Sequence, residues 1–259
     1  MSGSTRVPGI VVGAAGILAS LLLWWAAAVL TDLRLPTPPE VVSRAVEAGW
    51  GFYSFHFSMT LAEAAVGFAY GTAAALAVSV LVLLVPLLEP VVMQVAVISY
   101  CIPLVAIAPV LFIVIGNPDA GQRSGTATAL AALSVFFVTV VGTVLGLRSA
   151  DRAALDVVRV FGGGRVRQLQ KVQLVAALPQ VLAALRTAAP LAFLGAILGE
   201  YVGGQQQGVA VTLKIAQQNV DVAQAWAIGL GCAMVAGTAY GLLGALARVV
   251  SPWARGSAS

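Results

Sequence analysis

The sequence predicts an all-α polytopic membrane protein of about six transmembrane helices, forming one domain over residues 1–259. Three observations carry that expectation. Only 9% of the residues are charged and 60% are apolar, too little polar surface to cover a soluble domain of this length. Uncharged stretches recur along the chain, each longer than the roughly 20 residues that cross a hydrocarbon core of about 30 Å. The basic residues are also bunched: Arg148, Arg152, Arg159, Arg165, Arg167, Lys171 and Arg186 make up seven of the 14 Lys and Arg. A transmembrane barrel would show short alternating segments instead of long apolar runs.

The first uncharged window, Gly9–Leu30, follows Arg6. Ala26-Ala27-Ala28 has the form of a signal cleavage site, but the apolar run exceeds the roughly 7–15 residues of a signal h-region. Trp24 and Trp25 near its far end suit an interfacial aromatic belt, so an uncleaved first helix is expected. Residues 31–58 read as a loop that opens with "LPTPPE", whose prolines favour extended or turn structure, and Glu40–Gly49 can form a short surface helix. The next windows are Ala64–Leu88, Pro90–Pro118 and Ser124–Leu147, joined by a turn at Pro86–Pro90 and by the turn formers of "GNPDAGQRSG". A further window, Thr187–Leu213, is interrupted only by Glu200, and the last is Val222–Ala247. Residues 202–221 form a polar segment that begins with Gly203-Gly204 and three glutamines.

Glycine pairs at four-residue spacing recur at Gly9/Gly13, Gly67/Gly71, Gly142/Gly146, Gly195/Gly199 and Gly237/Gly241, a spacing that lets helix backbones approach closely. Cys101 and Cys232 lie inside apolar windows without metal-ligand spacing, so neither a disulfide nor a metal site is expected. The sequence pI of 9.4 is explained by charge asymmetry across a membrane, without nucleic acid. With the N-terminus in the cytoplasm, the inside segments carry Arg6, the seven clustered residues, Arg248 and Arg255. The outside keeps Arg34, Arg44, Arg123 and Lys214, the bias of the positive-inside rule.

The segment 149–178 is too polar to span and too patterned for a linker. Ser149 or Asp151 can cap a helix in which Leu155 and Val158 share a face. Phe161-Gly162-Gly163-Gly164 then permits a sharp turn. A second helical stretch places Val166, Leu169, Val172 and Leu174 among Arg167, Gln168, Gln170 and Lys171, and Pro179 suits the first turn of the next membrane helix. On periodicity alone, a basic hairpin lying on anionic lipid and a docking element for a cytoplasmic partner are equal readings.

At this point the residues resemble a family. "LDVVRVFGGGRVRQLQKVQLVAALPQVLAALR" resembles the coupling loop of binding-protein-dependent ABC importer permeases. Asp156-Val157-Val158 stand where that loop has Glu-Ala-Ala, Gly162 matches its glycine, and Leu174-Val175 replace its Leu-Pro. "YCIPLVAIAPVLFIVIG", "LPTPPEVV", "MTLAEAAVGFAYG" and "ILGEYVGGQQQGVAVTL" are similar, in order, to segments of the nitrate/sulfonate/taurine-type permeases. The resemblance implies a type I ABC importer permease fold in a bacterial cytoplasmic (inner) membrane. It implies two permease copies, identical or not, and two cytoplasmic ATPase subunits that carry the ATP and Mg, with no cofactor on this chain. An extracytoplasmic solute-binding protein would deliver the substrate. Asp156, Arg159, Gly162, Gly163, Arg165, Leu174 and Pro179 are then the candidates for coupling to the ATPases.

Acids at membrane depth are functional candidates by default. Glu63 lies near the outer end of the second span. Glu200 follows Pro179 by a stretch that rises roughly 32 Å at about 1.5 Å per residue. With Gln94, Ser99 and Tyr100 they are the candidates for lining a translocation path. The resembling permeases commonly carry a basic residue where Glu63 stands, so a neutral or cationic solute is expected in place of a small anion. His56, the one histidine, reads as structural. An intramembrane enzyme is disfavoured by the lack of His-Glu-x-x-His and Gly-x-Ser-x-Gly, and neither lysine is followed by Ser or Thr as a P-loop requires. A secondary transporter acting without an ATPase would show internal repeats, and none is clear.

Overall fold

The computed structural model describes residues 9–30, 35–119 and 121–253; the side chains of Ser99 and Tyr100, together with Arg6, Arg34 and Arg255, lie outside the described residues. The described residues form ten α-helices and no strand. They are α1 (Gly9–Leu30), α2 (Pro38–Leu84), α3 (Glu89–Cys101), α4 (Leu104–Ile115), α5 (Gly125–Arg148), α6 (Arg152–Val160), α7 (Arg165–Gln168), α8 (Leu174–Val202), α9 (Val209–Gln218) and α10 (Val222–Val250). Five helices are long and apolar enough to cross a membrane: α1, α2, α5, α8 with its α7 extension, and α10.

The expected third span is broken in two. α3 ends at Cys101 and α4 starts at Leu104, with Pro103 in an extended conformation between them. A proline disfavours the α region for its predecessor, Ile102, and the helix stops there, although α4 runs through Pro109 and α8 through Pro179 and Pro190. The expected surface helix over residues 40–49 forms and then bends at Gly49, whose φ of 75° breaks α2, so the helix that carries the second apolar window starts well before Ala64. Its start is a capping box: Glu40 Oε2 accepts from Thr37 N at 2.8 Å and Pro38 takes the first helical position. The turn after α2 is a single 3₁₀ turn, Pro86–Leu88.

The span expected over Thr187–Leu213 is α8, which starts earlier and stops at Val202. Pro179 therefore sits inside a helix and not in its first turn, and Arg186 belongs to a spanning helix and not to the polar segment before it. Leucines and alanines on both sides carry the helix through these residues. A π-helical stretch, Leu169–Gln173, joins α7 to α8.

The chain divides into two compact units, Met1–Ser54 with Thr212–Gly231, and Phe55–Val211 with Cys232–Ser259. In the first, Trp24 stacks on Trp226 with ring centroids 5.0 Å apart, and Arg44 bonds Asp221 at 2.6 Å. In the second, α5 is the central element. Three of the glycine pairs lie at its crossings: Gly67 and Gly71 of α2 and Gly195 and Gly199 of α8 press on it, and its own Gly142 and Gly146 receive α8. A Cβ on Gly67 would fall 2.7 Å from the Thr128 oxygen, and one on Gly199 would fall 2.7 Å from the Ala127 nitrogen, so only glycine permits these approaches. Gly13, Gly237 and Gly241 meet nothing within 4 Å, and their spacing marks no contact. The apolar core gathers where α2, α3 and α5 meet, at Ala75, Val82, Ala96, Val140 and Val144. Cys101 and Cys232 are both free thiols.

Candidate functional site

The polar segment folds as a helical hairpin. Asp151 caps α6, its carboxylate accepting from Ala153 N at 3.2 Å, while Ser149 closes the end of α5. The turn after α6 has the geometry of a Schellman motif: Gly162, at φ 75°, donates to Arg159 O at 2.9 Å and Gly163 donates to Val158 O at 2.8 Å. Gly162 supplies the left-handed residue that this closure requires. Gly163 is buried, and a Cβ on it would run into the Val158 side chain and lie 2.7 Å from the Val158 oxygen. The two glycines thus do different work.

The hairpin is rooted in the bundle. Gln168 Nε2 donates to Leu155 O at 3.2 Å and joins its two arms, and Arg165 Nη1 donates to Leu84 O at 3.2 Å at the end of α2. Leu169 is buried with Leu147 and Ala177, against Leu83 and Leu84. Arg148 pairs with Glu89 across to α3. Leu155 and Val158 face inward as their shared periodicity predicts, half-buried. The opposite face is both charged and apolar. Asp156 and Arg159 pair at 3.1 Å in the open, beside Val157, Val160 and Phe161, the last two 84% and 82% exposed. Leu174 is 46% exposed and Pro179 half-buried within α8.

At the opposite end of α8, Glu63 and Glu200 are fully buried. Each satisfies backbone donors at a helix start. Glu63 Oε1 accepts from Ser124 N at 2.6 Å, at the residue that caps α5, and from Gln205 Nε2 at 2.6 Å. Glu200 Oε2 accepts from Ala210 N at 2.9 Å, in the first turn of α9, while its Oε1 accepts from the Thr60 hydroxyl, which in turn accepts from Val209 N at 3.0 Å. Carboxylates at helix N-termini satisfy orphan donors and complement the macrodipole. His56 Nδ1 accepts from Gly208 N at 3.3 Å, so the one histidine does hold the loop. A Cβ on Gly208, at φ 130°, would lie 2.5 Å from the Glu200 carboxyl carbon, so the loop closes over the acid only with glycine there.

Above these acids lies a polar cavity of about 210 Å³, lined by Asn117, Asp119, Gln122, Gln205, Gln206 and Gln207. Neither the three glutamines nor the 116–122 turn carries a site motif in the sequence. Their junction depends on the Gly203-Gly204 turn folding back, which leaves no periodic signal. Of the path candidates, Gln94 is exposed on α3, and the acids are enclosed by their hydrogen bonds.

Residues 86–256, which include the hairpin and the helices α8, α9 and α10 after it, match the family described as binding-protein-dependent transport system inner membrane component. The chain belongs to this family. It is a multi-pass membrane protein and a permease subunit of an ABC importer, whose family works generally with ATPase and binding-protein partners. It is 30% identical over 241 residues, 91% of this chain and 88% of the relative, to the riboflavin transport system permease protein RibX of Chloroflexus aurantiacus. It is 28% identical over 172 residues, 66% and 67% of the two chains, to the formylaminopyrimidine transport permease protein ThiX of Halalkalibacterium halodurans. A Bacillus subtilis relative named for aliphatic sulfonates transport, SsuC, is 27% identical over 191 residues, 73% of this chain and 67% of the relative. As a permease the chain serves in moving a solute across the membrane.

Proposed function

We propose that the α6–α7 hairpin is the coupling element of this permease and that it docks into cytoplasmic ATPase subunits. The observation that carries this reading is the exposed row Val157, Val160 and Phe161 on a helix whose other face is fastened to the bundle. An exposed aromatic beside an arginine is the usual make-up of a protein-docking anchor. The Gln168 and Arg165 bonds and the buried Leu169 give the hairpin a fixed root, so a push on it is transmitted to α2, α5 and α8 as a unit. Asp156 and Arg159 form the charged rim, Gly162 and Gly163 set the turn, and Leu174 and Pro179 lie where the hairpin runs into α8.

In this reading the hairpin end and the N-terminus face the cytoplasm of a bacterial cell with the chain in its inner membrane. Two ATPase subunits hydrolyse the Mg-bound ATP, two permease copies enclose the path, and an extracytoplasmic binding protein delivers the solute to the other end. The amide-lined cavity there suits an uncharged nitrogen heterocycle whose edge carries both donors and acceptors. The relatives named for riboflavin and formylaminopyrimidine transport support that solute class. Glu63 contributes to it indirectly, because its carboxylate holds Gln205 and does not face the solute.

The test is reconstitution of the permease with its ATPase and binding protein in liposomes. Phe161→Ala is expected to lower solute-stimulated ATP hydrolysis about 30-fold, the scale of a 2 kcal/mol docking anchor, with the purified permease still folded. Hydrolysis at the original rate, or uptake driven by an ion gradient without the ATPase, would remove the coupling assignment. In the same liposomes hydrolysis should respond to an uncharged heterocycle and not to an alkanesulfonate. The reverse preference would remove the solute assignment alone.

A further inference from the structure

α8 carries a charged residue that neither the coupling hairpin nor the outer network uses. Arg186 lies about 18 Å along the helix from Leu174 and about 24 Å short of Val202, at 1.5 Å per residue. Its guanidinium carbon sits over the Tyr240 ring of α10, 3.9 Å from the centroid. It fills a notch opened by Gly244, where a Cβ would come within 2.9 Å of Nε and 3.0 Å of Cζ. Nε is buried without a hydrogen-bond acceptor, and among the described residues no carboxylate pairs with Arg186.

A guanidinium keeps its charge and presents five N–H donors in one plane. The Tyr240 ring attracts the cation through its π face but supplies no strong acceptor. A charged residue in a spanning helix normally finds a partner, and here the protein offers a ring on one side and nothing along the donor edge.

We propose that Arg186 and Tyr240 hold the phosphate of an anionic phospholipid in the groove between α8 and α10, in the leaflet at the C-terminal end of α10. Depth favours a lipid, because Gly244 stands about 9 Å from Val250 at the end of the helix, within the range over which a snorkelling arginine meets headgroups. Helical register favours it as well. Tyr240, Gly244 and Arg248 fall at four-residue spacing and so share a face, which sets a second basic residue one turn nearer the membrane surface. The same side of α10 leaves room for an acyl chain, because Gly237 and Gly241, which share it, have nothing within 4 Å. Basic pockets between spanning helices take lipid headgroups in this way. The phosphate chemistry alone would also accept a soluble phosphate, which the experiment separates.

The experiment is native mass spectrometry of the full-length permease released from nanodiscs containing phosphatidylglycerol and phosphatidylcholine. The wild-type protein is expected to retain phosphatidylglycerol selectively. Arg186→Gln should lower that retention about fivefold, the effect of one basic residue near the headgroups. Gly244→Ala keeps every charge but displaces the guanidinium from its notch, so it should also lower retention, and it carries the test if Arg186→Gln does not fold. Equal retention in wild type and Gly244→Ala would overturn the proposal. So would displacement of the lipid by millimolar inorganic phosphate. Loss of transport in Arg186→Gln with lipid retention unchanged would overturn it too, placing the residue on the solute path.

Discussion

Replacing Glu200 with leucine strips the Ala210 amide of its acceptor and leaves the Thr60 hydroxyl only the His56 carbonyl, at 3.4 Å. Both are buried, and an unsatisfied buried donor costs about 1–3 kcal/mol. Glu200→Leu should therefore lower the thermal unfolding midpoint in detergent clearly, and Glu200→Gln, which keeps an acceptor for Ala210 N–H, should lower it less. Equal midpoints for the two variants would mean that the carboxyl does not hold the α9 start. That Glu200 lies late in its helix was legible in the sequence, because helical rise counts residues. Its partners were not, because they come from a loop whose return at Gly208 follows φ angles and not periodicity. Gly162 is the contrary case. A lone glycine run between two amphipathic stretches already marks a helix stop, and the Schellman closure is what that signal specifies. Sequence could not separate Gly162 from Gly163, since one is needed for its φ and the other for lack of room.

Among the helices, spacing permits close approach at five glycine pairs, and three of them lie at crossings. Gly67/Gly71, Gly142/Gly146 and Gly195/Gly199 meet backbone across α2, α5 and α8, while Gly237/Gly241 faces open space. Small-residue spacing marks a helix face on which another backbone can lie close, but it carries no information about whether one does. This difference can be measured. Gly199→Val and Gly67→Leu force atoms into a filled crossing, where overpacking costs about 1–3 kcal/mol or more. Both should reduce the folded yield and midpoint, whereas Gly237→Ala should leave the monomer's unfolding unchanged. A destabilising Gly237→Ala would show that a partner packs on that face of α10. The α3–α4 break illustrates a different limit. Hydropathy registered one apolar window, and only the stereochemistry around Pro103 divides it, so a transfer scale alone overstates the helix.

For the whole molecule, the fold class followed from where charge is missing, and the expected orientation rests on where it is concentrated. Seven of the 14 basic residues lie between Arg148 and Arg186, yet Arg186 proves to be inside a spanning helix, which leaves six to set the orientation at the hairpin end. Six still outweigh Arg34, Arg44, Arg123 and Lys214, the four basic residues that the sequence leads one to expect outside. With Cys101 and Cys232 replaced by serine, a single cysteine at Arg159 and another at Gln206 should then report opposite faces of the membrane. In intact cells a membrane-impermeant maleimide should label Gln206→Cys at once. It should label Arg159→Cys only after permeabilisation, because both positions are exposed and differ only in side. The reverse pattern would place the hairpin away from the cytoplasm, where no ATPase can reach it. The coupling assignment would then fall while the fold and the family stood. The lipid site at Arg186 would stand as well, because it depends on depth within one leaflet and not on which compartment that leaflet faces.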